Sequence, residues 1–441
     1  MHCGNAVWTY GRFHQTVESA CERLGAAEIG PGSVVAICGP YEPESVVYLF
    51  ALAERGAVVV PLVGLSDDVR RERLRVAMAD WVLEKEEGNG YGLSPAGEDQ
   101  GRRTTEGGRH PLIAKLAAEG RPGLILFSSG TTGTPKAMLH DLVRLTEGYS
   151  VKAGPGPATL ALLHYDHIGG LDILFRAIAS GARLVIPEGR DPDGVARTIE
   201  RHGVEVLPAS PTFLNLLLLS GALERYDLSS LKIIGYGSEP MPESLLRRLA
   251  EAFPGVRLQQ KFGTSETNAV RVVGRSPDSL EMKVEDDRFG WKVVEGELWL
   301  KSPSRILGYL NADNGALDDD GWYRTGDLVE ETGDGFFRIV GRGSDLINVG
   351  GEKVFPSEVE NVLAEMPEVR ECRVFGEPHP LTGNVVAVEV VPAEELTAGE
   401  IKKRIRTFCR DRIEAYKIPV KVYPTETIQI GSSFKKKREG Q

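Results

Sequence analysis

Between residues 13 and 65 the chain alternates helical and extended patterns, and this alternation limits the fold more than any other feature. Residues 17–24 carry apolar side chains at helical spacing, 34–37 form a short unbroken apolar run, 46–52 are helical again, and 57–62 are a second apolar run. Strand, helix and strand in that order predict parallel strands buried by the helices that cross over them. The order recurs: residues 124–127, 184–186, 204–207 and 232–234 read as further buried strands, with helical stretches such as 242–253 between them. Residues 86–109 are rich in Gly, polar and charged groups and read as an exposed loop. From about residue 296 the pattern changes to short strands and turns, such as 297–300 and 336–340, and the last hundred or so residues mix strand with helix. A chain of 441 residues exceeds what one core supports. The expected fold class is therefore α/β: a large N-terminal domain of parallel-rich α/β sheets with a small β-rich subdomain, followed by a small α+β C-terminal domain.

Composition narrows the setting. The formal net charge of -11 argues against broad binding to nucleic acid or anionic membrane, both of which call for a basic face. One local basic patch stands at the tail, Phe434-Lys435-Lys436-Lys437-Arg438. The five cysteines, Cys3, Cys21, Cys38, Cys372 and Cys409, are scattered and odd in number, which argues against a disulfide framework or a structural zinc site and fits a reducing cytosol. No secretory leader is visible in the first ten residues, and no apolar stretch approaches the ~20 residues needed to cross a bilayer. A cytoplasmic protein is expected, with neither nucleic acid nor membrane as partner.

The strongest local signal is Ser128-Ser129-Gly130-Thr131-Thr132-Gly133-Thr134-Pro135-Lys136, directly after the strand 124–127. Two glycines let the backbone turn sharply and approach a ligand, and five hydroxyls with backbone N–H groups and one lysine could cradle a polyphosphate. Pro135 and Lys136 follow Thr134 where a P-loop needs Gly-Lys, so this is not that motif. A surface turn has the same composition; its neighbours along the chain decide between the two.

This string resembles the phosphate-binding loop of the adenylate-forming superfamily, which comprises acyl-CoA synthetases, peptide-synthetase adenylation domains and firefly-type luciferases. Further similar strings follow in the family's order over nearly the whole chain, most like an acyl-CoA synthetase. Phe262-Gly263-Thr264-Ser265-Glu266 resembles the segment in which, by the resemblance, Thr264 touches the adenylate phosphate and Glu266 holds Mg²⁺ on the ATP phosphates. A carboxylate suits that hard cation. Gly237-Ser238-Glu239-Pro240 resembles the loop that contacts adenine. Thr325-Gly326-Asp327 resembles the turn whose aspartate grips the ribose hydroxyls, with Arg342 approaching the same ribose. His167 aligns with a histidine lying against the acyl pocket, where shape and gating rather than proton transfer are implied. Asp166 is the alternative, as a residue holding a substrate amino group, although the register places it one position early.

In the last segment, Asn348-Val349-Gly350-Gly351-Glu352-Lys353 is similar to a stretch that lines a pantetheine tunnel after domain rotation. Lys435, three residues before Arg438, is identified with the catalytic lysine, and Lys436 and Lys437 compete for that place. Three departures stand out: Phe434 replaces the usual glycine, Ser344 sits at the hinge, and the N-terminal region is short. The resemblance implies a division into residues 1–342, holding the ATP and acyl pocket, and a mobile domain at 343–441. It implies ATP/AMP, Mg²⁺ and CoA, or the phosphopantetheine of an acyl carrier protein, as cofactors and partners. The reaction implied joins a small-molecule carboxylic acid to AMP and then to a thiol, in a monomer or homodimer. An inactive nucleotide-binding homologue is the reading from another class.

Overall fold

The computed structural model describes residues 1–4, 6–86, 88, 90–97, 109–128, 135–151, 154–429 and 431. Its first sheet has seven strands, in the order Gly308–Tyr309, Lys136–Asp141, Gly123–Ser128, Val58–Leu62, Val34–Cys38, Trp81–Glu86 and Gly90–Pro95. The four middle strands are parallel, with Val34 opposite Val58 and Cys38 opposite Leu62. Alternate residues of these strands feed two different cores. Val35, Ile37 and Val59 point to one side, and Val34, Ala36, Val58 and Val60 to the other. Successive side chains leave a strand on opposite faces, so a strand covered on both sides must be apolar throughout. The apolar runs at 34–37 and 57–62 are explained by this.

A second sheet runs Arg257–Gln260, Ile233–Tyr236, Val206–Ala209, Thr159–Leu160, Leu184–Ile186, His2–Cys3 and Ala6–Val7. All but its last pair are parallel. The start of the chain thus supplies a strand, His2 opposite Val185, that no hydrophobic pattern announces. Helices Pro43–Glu54 and Ile168–Ala179 lie in a core shared by the two sheets, where Ile37 and Leu124 join Leu184 and Ile186. On the far face of the second sheet, Phe213, Leu214 and Leu249 close a separate core.

The third sheet is a six-stranded antiparallel unit built from residues 272–342. The change to short strands begins near Phe262 rather than near residue 296, and Trp322–Gly333 is one 12-residue strand. The exposed loop expected at 86–109 is also partly corrected. Gly90–Pro95 pairs antiparallel with Trp81–Glu86, and Gly88 and Gly90, at φ +79° and +76°, give the turn the positive dihedrals a tight hairpin requires. Residues 98–108 lie outside the described set.

A five-stranded sheet of its own follows, with helices Pro356–Leu363 and Ala398–Cys409 closing a core drawn wholly from residues 347–422. The molecule is therefore a mixed α/β protein with a large N-terminal and a smaller C-terminal domain, as expected. The short 3₁₀ turn Gly343–Asp345 separates the third sheet from this last unit. Among the described residues no helix is long and apolar enough to cross a membrane. Phe213 is fully buried, so Phe213→Ala should cost about 3–5 kcal/mol. A urea transition of tryptophan fluorescence should move to lower denaturant accordingly.

Candidate active site

The carboxyl ends of the parallel strands of both sheets open into one cleft with a volume of about 1550 Å³. Ligands of open α/β sheets bind at such ends, because the loops leaving the strands there are free to differ from the scaffold. Ser128 and Lys136 line the cleft from the first sheet. Gly237, Ser238 and Glu239 line it from a loop at the end of the second sheet, and Phe262, Gly263, Thr264 and Glu266 from the short hairpin in which Phe262–Thr264 pairs with Asn268–Val270. Asp327 and Arg342 reach it from the third sheet, and His167 from the start of helix Ile168–Ala179. Ser129, Gly130, Thr131, Thr132, Gly133 and Lys435 lie outside the described residues. Gly431, four positions before Lys435, lines the cleft.

Each of these side chains is held by a local device. Strands Trp322–Gly333 and Phe336–Arg342 place Asp327 opposite Arg342, whose Nε donates to Asp327 Oδ1 at 3.0 Å. Burial pushes the Asp327 carboxyl up from its ordinary range, opposed by the Arg342 charge; the Asp327 charge in turn holds the guanidinium more firmly protonated. Thr325 Oγ1 donates to the Leu298 carbonyl at 2.7 Å and accepts from the Asp327 N–H at 3.0 Å, which anchors the turn.

Thr264 is buried, and its Oγ1 accepts from the Thr267 N–H at 3.1 Å. Ser302 Oγ donates to the Thr267 carbonyl at 2.7 Å and ties the same turn to the third sheet. Phe262 lines the cleft while its ring meets Phe337 edge-on, with centroids 6.5 Å apart. Glu239 accepts from the Thr212 hydroxyl at 2.7 Å. The Gly237 position has no room for a side chain: a Cβ there would stand 2.4 Å from the Lys261 carbonyl oxygen.

Glu266 has a partner that sequence reasoning missed. Tyr309 Oη donates to Glu266 Oε1 at 2.8 Å. Tyr309 is placed by the edge strand Gly308–Tyr309, which pairs with Lys136–Asp141, and the Lys136 ammonium lies 5.6 Å from the centre of its ring. Asn311 accepts from the Ala137 N–H and donates to the Pro135 carbonyl, each at 2.9 Å, so it clamps the exit of the hydroxyl-rich loop. Neither Tyr309 nor Asn311 belongs to a motif, and both lie more than forty residues from their partners in the chain.

Two expectations separate here. His167 faces the cleft, whereas Asp166 is buried behind it with Oδ2 accepting from the Val63 N–H at 3.4 Å. Its Oδ1 stands 3.7 Å from His167 Nε2, and Asp166 itself is not among the residues lining the cleft. Gly350 and Gly351 form the hairpin turn between Ile347–Val349 and Glu352–Val354, at φ +63° and +99°, and are not among the residues lining the cleft. The C-terminal domain meets the cleft instead through Phe355, Pro356, Ser357 and Glu358. Ser357 Oγ donates to the Val340 carbonyl at 2.9 Å, and Arg247 pairs with Glu365 at 2.9 Å.

Comparison with known proteins agrees with this arrangement. Residues 1–310 match the family model of the AMP-binding enzymes, and residues 358–435 match that of the AMP-binding enzyme C-terminal domain. The chain belongs to the AMP-binding enzyme family. Among relatives of this family member, the 2-succinylbenzoate--CoA ligase of Bacillus cytotoxicus is 28% identical over 94% of this chain and 89% of its own length. The indoleacetate--CoA ligase of Aromatoleum aromaticum is 28% identical over 94% and 88%. Two solved structures share the fold. The anthranilate CoA ligase AuaEII with anthranoyl-AMP has a TM-score of 0.82 at 21% identity, covering 99% of this chain and 92% of its own. The o-succinylbenzoate CoA synthetase MenE of Bacillus subtilis with ATP and magnesium has a TM-score of 0.77 at 24% identity, covering 98% and 94%.

The spacing around Gly237 allows a paired test on this AMP-binding enzyme. Gly237→Ala forces a methyl group against backbone and should cost about 1–3 kcal/mol. At Gly235 an added Cβ would meet its nearest neighbour at an ordinary 3.6 Å. Differential scanning calorimetry should show a lower melting temperature for Gly237→Ala and little change for Gly235→Ala.

Proposed function

We propose that this protein is an AMP-forming acid–thiol ligase, which joins a carboxylic acid to AMP with release of pyrophosphate and then passes the acyl group to the thiol of CoA. The observation that carries this reading is the convergence, in one cleft, of Lys136, Thr264, Glu266, Asp327 and Arg342 from segments spread over two hundred residues. The family match and the relatives named as CoA ligases support it.

In this reading Asp327 accepts from the ribose hydroxyls, with Arg342 beside it, and the loop Gly237–Glu239 with Phe262 flanks the base. The hydroxyl-rich loop, from Ser128 to Lys136, wraps the phosphates. Thr264 orients the α-phosphate, and the substrate carboxylate enters past His167. Among the described residues no group of His, Cys, Asp and Glu side chains could cage a metal. The donor set is instead the single carboxylate of Glu266, steadied by Tyr309, which fits a cation that keeps most of its waters and takes phosphate oxygens. Mg²⁺, when bound, supplies charge neutralisation at the leaving pyrophosphate. Lys435 adds a positive charge at the α-phosphorus, where negative charge builds up during displacement. Gly431 lining the cleft, with Gly350 and Gly351 away from it, supports an arrangement suited to adenylation.

For the second step the domain after residue 342 turns about Gly343–Asp345, withdraws Lys435 and brings Gly350 and Gly351 to the cleft, where a thin thiol arm passes close to backbone. Domain motion of this kind lets one cleft serve two reactions. The cytoplasm is the compartment we assign, since all five cysteines are free thiols.

Two variants separate the half-reactions. Lys435→Ala should lower ATP–pyrophosphate exchange by about 100-fold or more, as loss of a charge at a developing phosphate charge does. It should largely spare thioester formation from supplied acyl adenylate. Gly351→Leu should do the reverse, measured by the same two assays. Equal loss of both steps in both variants would sink this division of labour. Tyr309→Phe should raise the Mg²⁺ concentration needed for half-maximal exchange by about 3- to 10-fold, the worth of one hydrogen bond.

A further inference from the structure

Phe355, a large apolar side chain of the C-terminal domain, takes no part in that domain's core. Val354, Val359 and Leu363 enter the core, whereas Phe355, which stands among them in the chain, does not. It occupies the N-cap of helix Pro356–Leu363, and its half-buried ring lines the cleft. There the ring meets Gly341, on strand Phe336–Arg342 of the third sheet. A Cβ at Gly341 would stand 2.5 Å from the ring's Cδ1, and the three atoms nearest to that position all belong to Phe355.

The Gly341 backbone does not itself call for glycine. Its φ lies outside the positive region, and it pairs with Leu328 as an ordinary strand residue. Glycine weakens a strand and often marks a place where another group comes close. Here that group comes from the other domain. Two positions after Phe355, Ser357 Oγ donates at 2.9 Å to the carbonyl of Val340, the neighbour of Gly341. The start of one helix is thus fixed on two adjacent strand residues, by an apolar ring on one and a hydrogen bond on the other. The cross-domain ion pair of Arg247 with Glu365 is exposed on both sides, and such pairs contribute little.

We propose that the seat of Phe355 on Gly341 is the contact that selects the present arrangement of the two domains, with Phe355 a positioning residue for the adenylation step. This inference rests on the two-step function proposed above. Gly341 precedes the turn Gly343–Asp345 and Phe355 follows it, so rotation about that turn separates the two. Opening the seat strands no charge, unlike the opening of a buried ion pair. While it is closed, the C-terminal domain keeps Gly431 at the cleft.

The test combines a double-mutant cycle with a measurement that needs no substrate. Phe355→Ala removes the ring and Gly341→Ala pushes it away; the full-length protein carries each change alone and both together. Each single change should lower ATP–pyrophosphate exchange by about 5- to 30-fold relative to thioester formation from supplied acyl adenylate, the worth of a half-buried aromatic ring. Phe355→Leu should keep most of the exchange. In the Phe355→Ala background Gly341→Ala should add little, because no ring remains for the new methyl group to meet. Arg247→Cys with Glu365→Cys, in a chain whose partly buried Cys3 and Cys21 are changed to Ser, gives two thiols that a short bis-maleimide joins across the domains. Joining should be slower in Phe355→Ala than in the parent, and the joined Phe355→Ala protein should recover its exchange, which loss of folding would not allow. Unchanged exchange in both single variants, a Gly341→Ala loss as large without the ring as with it, or a joined Phe355→Ala protein that stays slow overturns the proposal. Absence of exchange in every form with a broad panel of acids overturns acid activation instead, and the rate of joining then decides the seat alone.

Discussion

Burial of two parallel sheets against one shared set of helices is the constraint on which the rest of the molecule depends. Val35, Ile37 and Leu124 of the first sheet and Leu184 and Ile186 of the second belong to one core, with helices Pro43–Glu54 and Ile168–Ala179 within it. Close packing of such a core leaves little freedom to slide one sheet against the other. The strand ends are thereby held in register, and the loops that leave them meet at one cleft. Tyr309 shows the consequence at the scale of one residue. Its ring belongs to the shared core, its strand pairs with the first sheet, and its hydroxyl holds Glu266 at an end of the second.

Within the cleft, side-chain chemistry differs from end to end because the supporting elements differ. The antiparallel third sheet brings Asp327 and Arg342 together by cross-strand register, a pairing that needs no loop flexibility. Helix Ile168–Ala179 brings Asp172 and Arg176 together at a spacing of four, where side chains on one helical face meet. The first arrangement sets out a carboxylate with its cation. The second keeps its carboxylate and its cation on one helix.

The C-terminal domain is tied to the rest by contacts of modest strength. Ser357 to the Val340 carbonyl, Arg247 to Glu365 and the seat of Phe355 against Gly341 are local and partly exposed. An exposed ion pair contributes only about 0–1 kcal/mol. Contacts of this size hold one arrangement without forbidding another.

Much of this was legible in the amino-acid order. Unbroken apolar runs such as 34–37 announced doubly covered strands, and the strings from Phe262 to Glu266 and around Asp327 announced residues that line the cleft, because a turn, its glycines and its polar groups are neighbours in the chain. The strand at Gly90–Pro95 escaped notice because polar and glycine-rich segments pair through backbone, which carries no hydrophobic signature. Tertiary structure alone decided that His2–Cys3 joins the second sheet, that Tyr309 steadies Glu266 and that Asp166 is buried with its Oδ2 on the Val63 N–H. Each of these depends on which distant groups come within a few ångströms of one another, and that is set by the packing of whole sheets and helices rather than by any residue's neighbours along the chain.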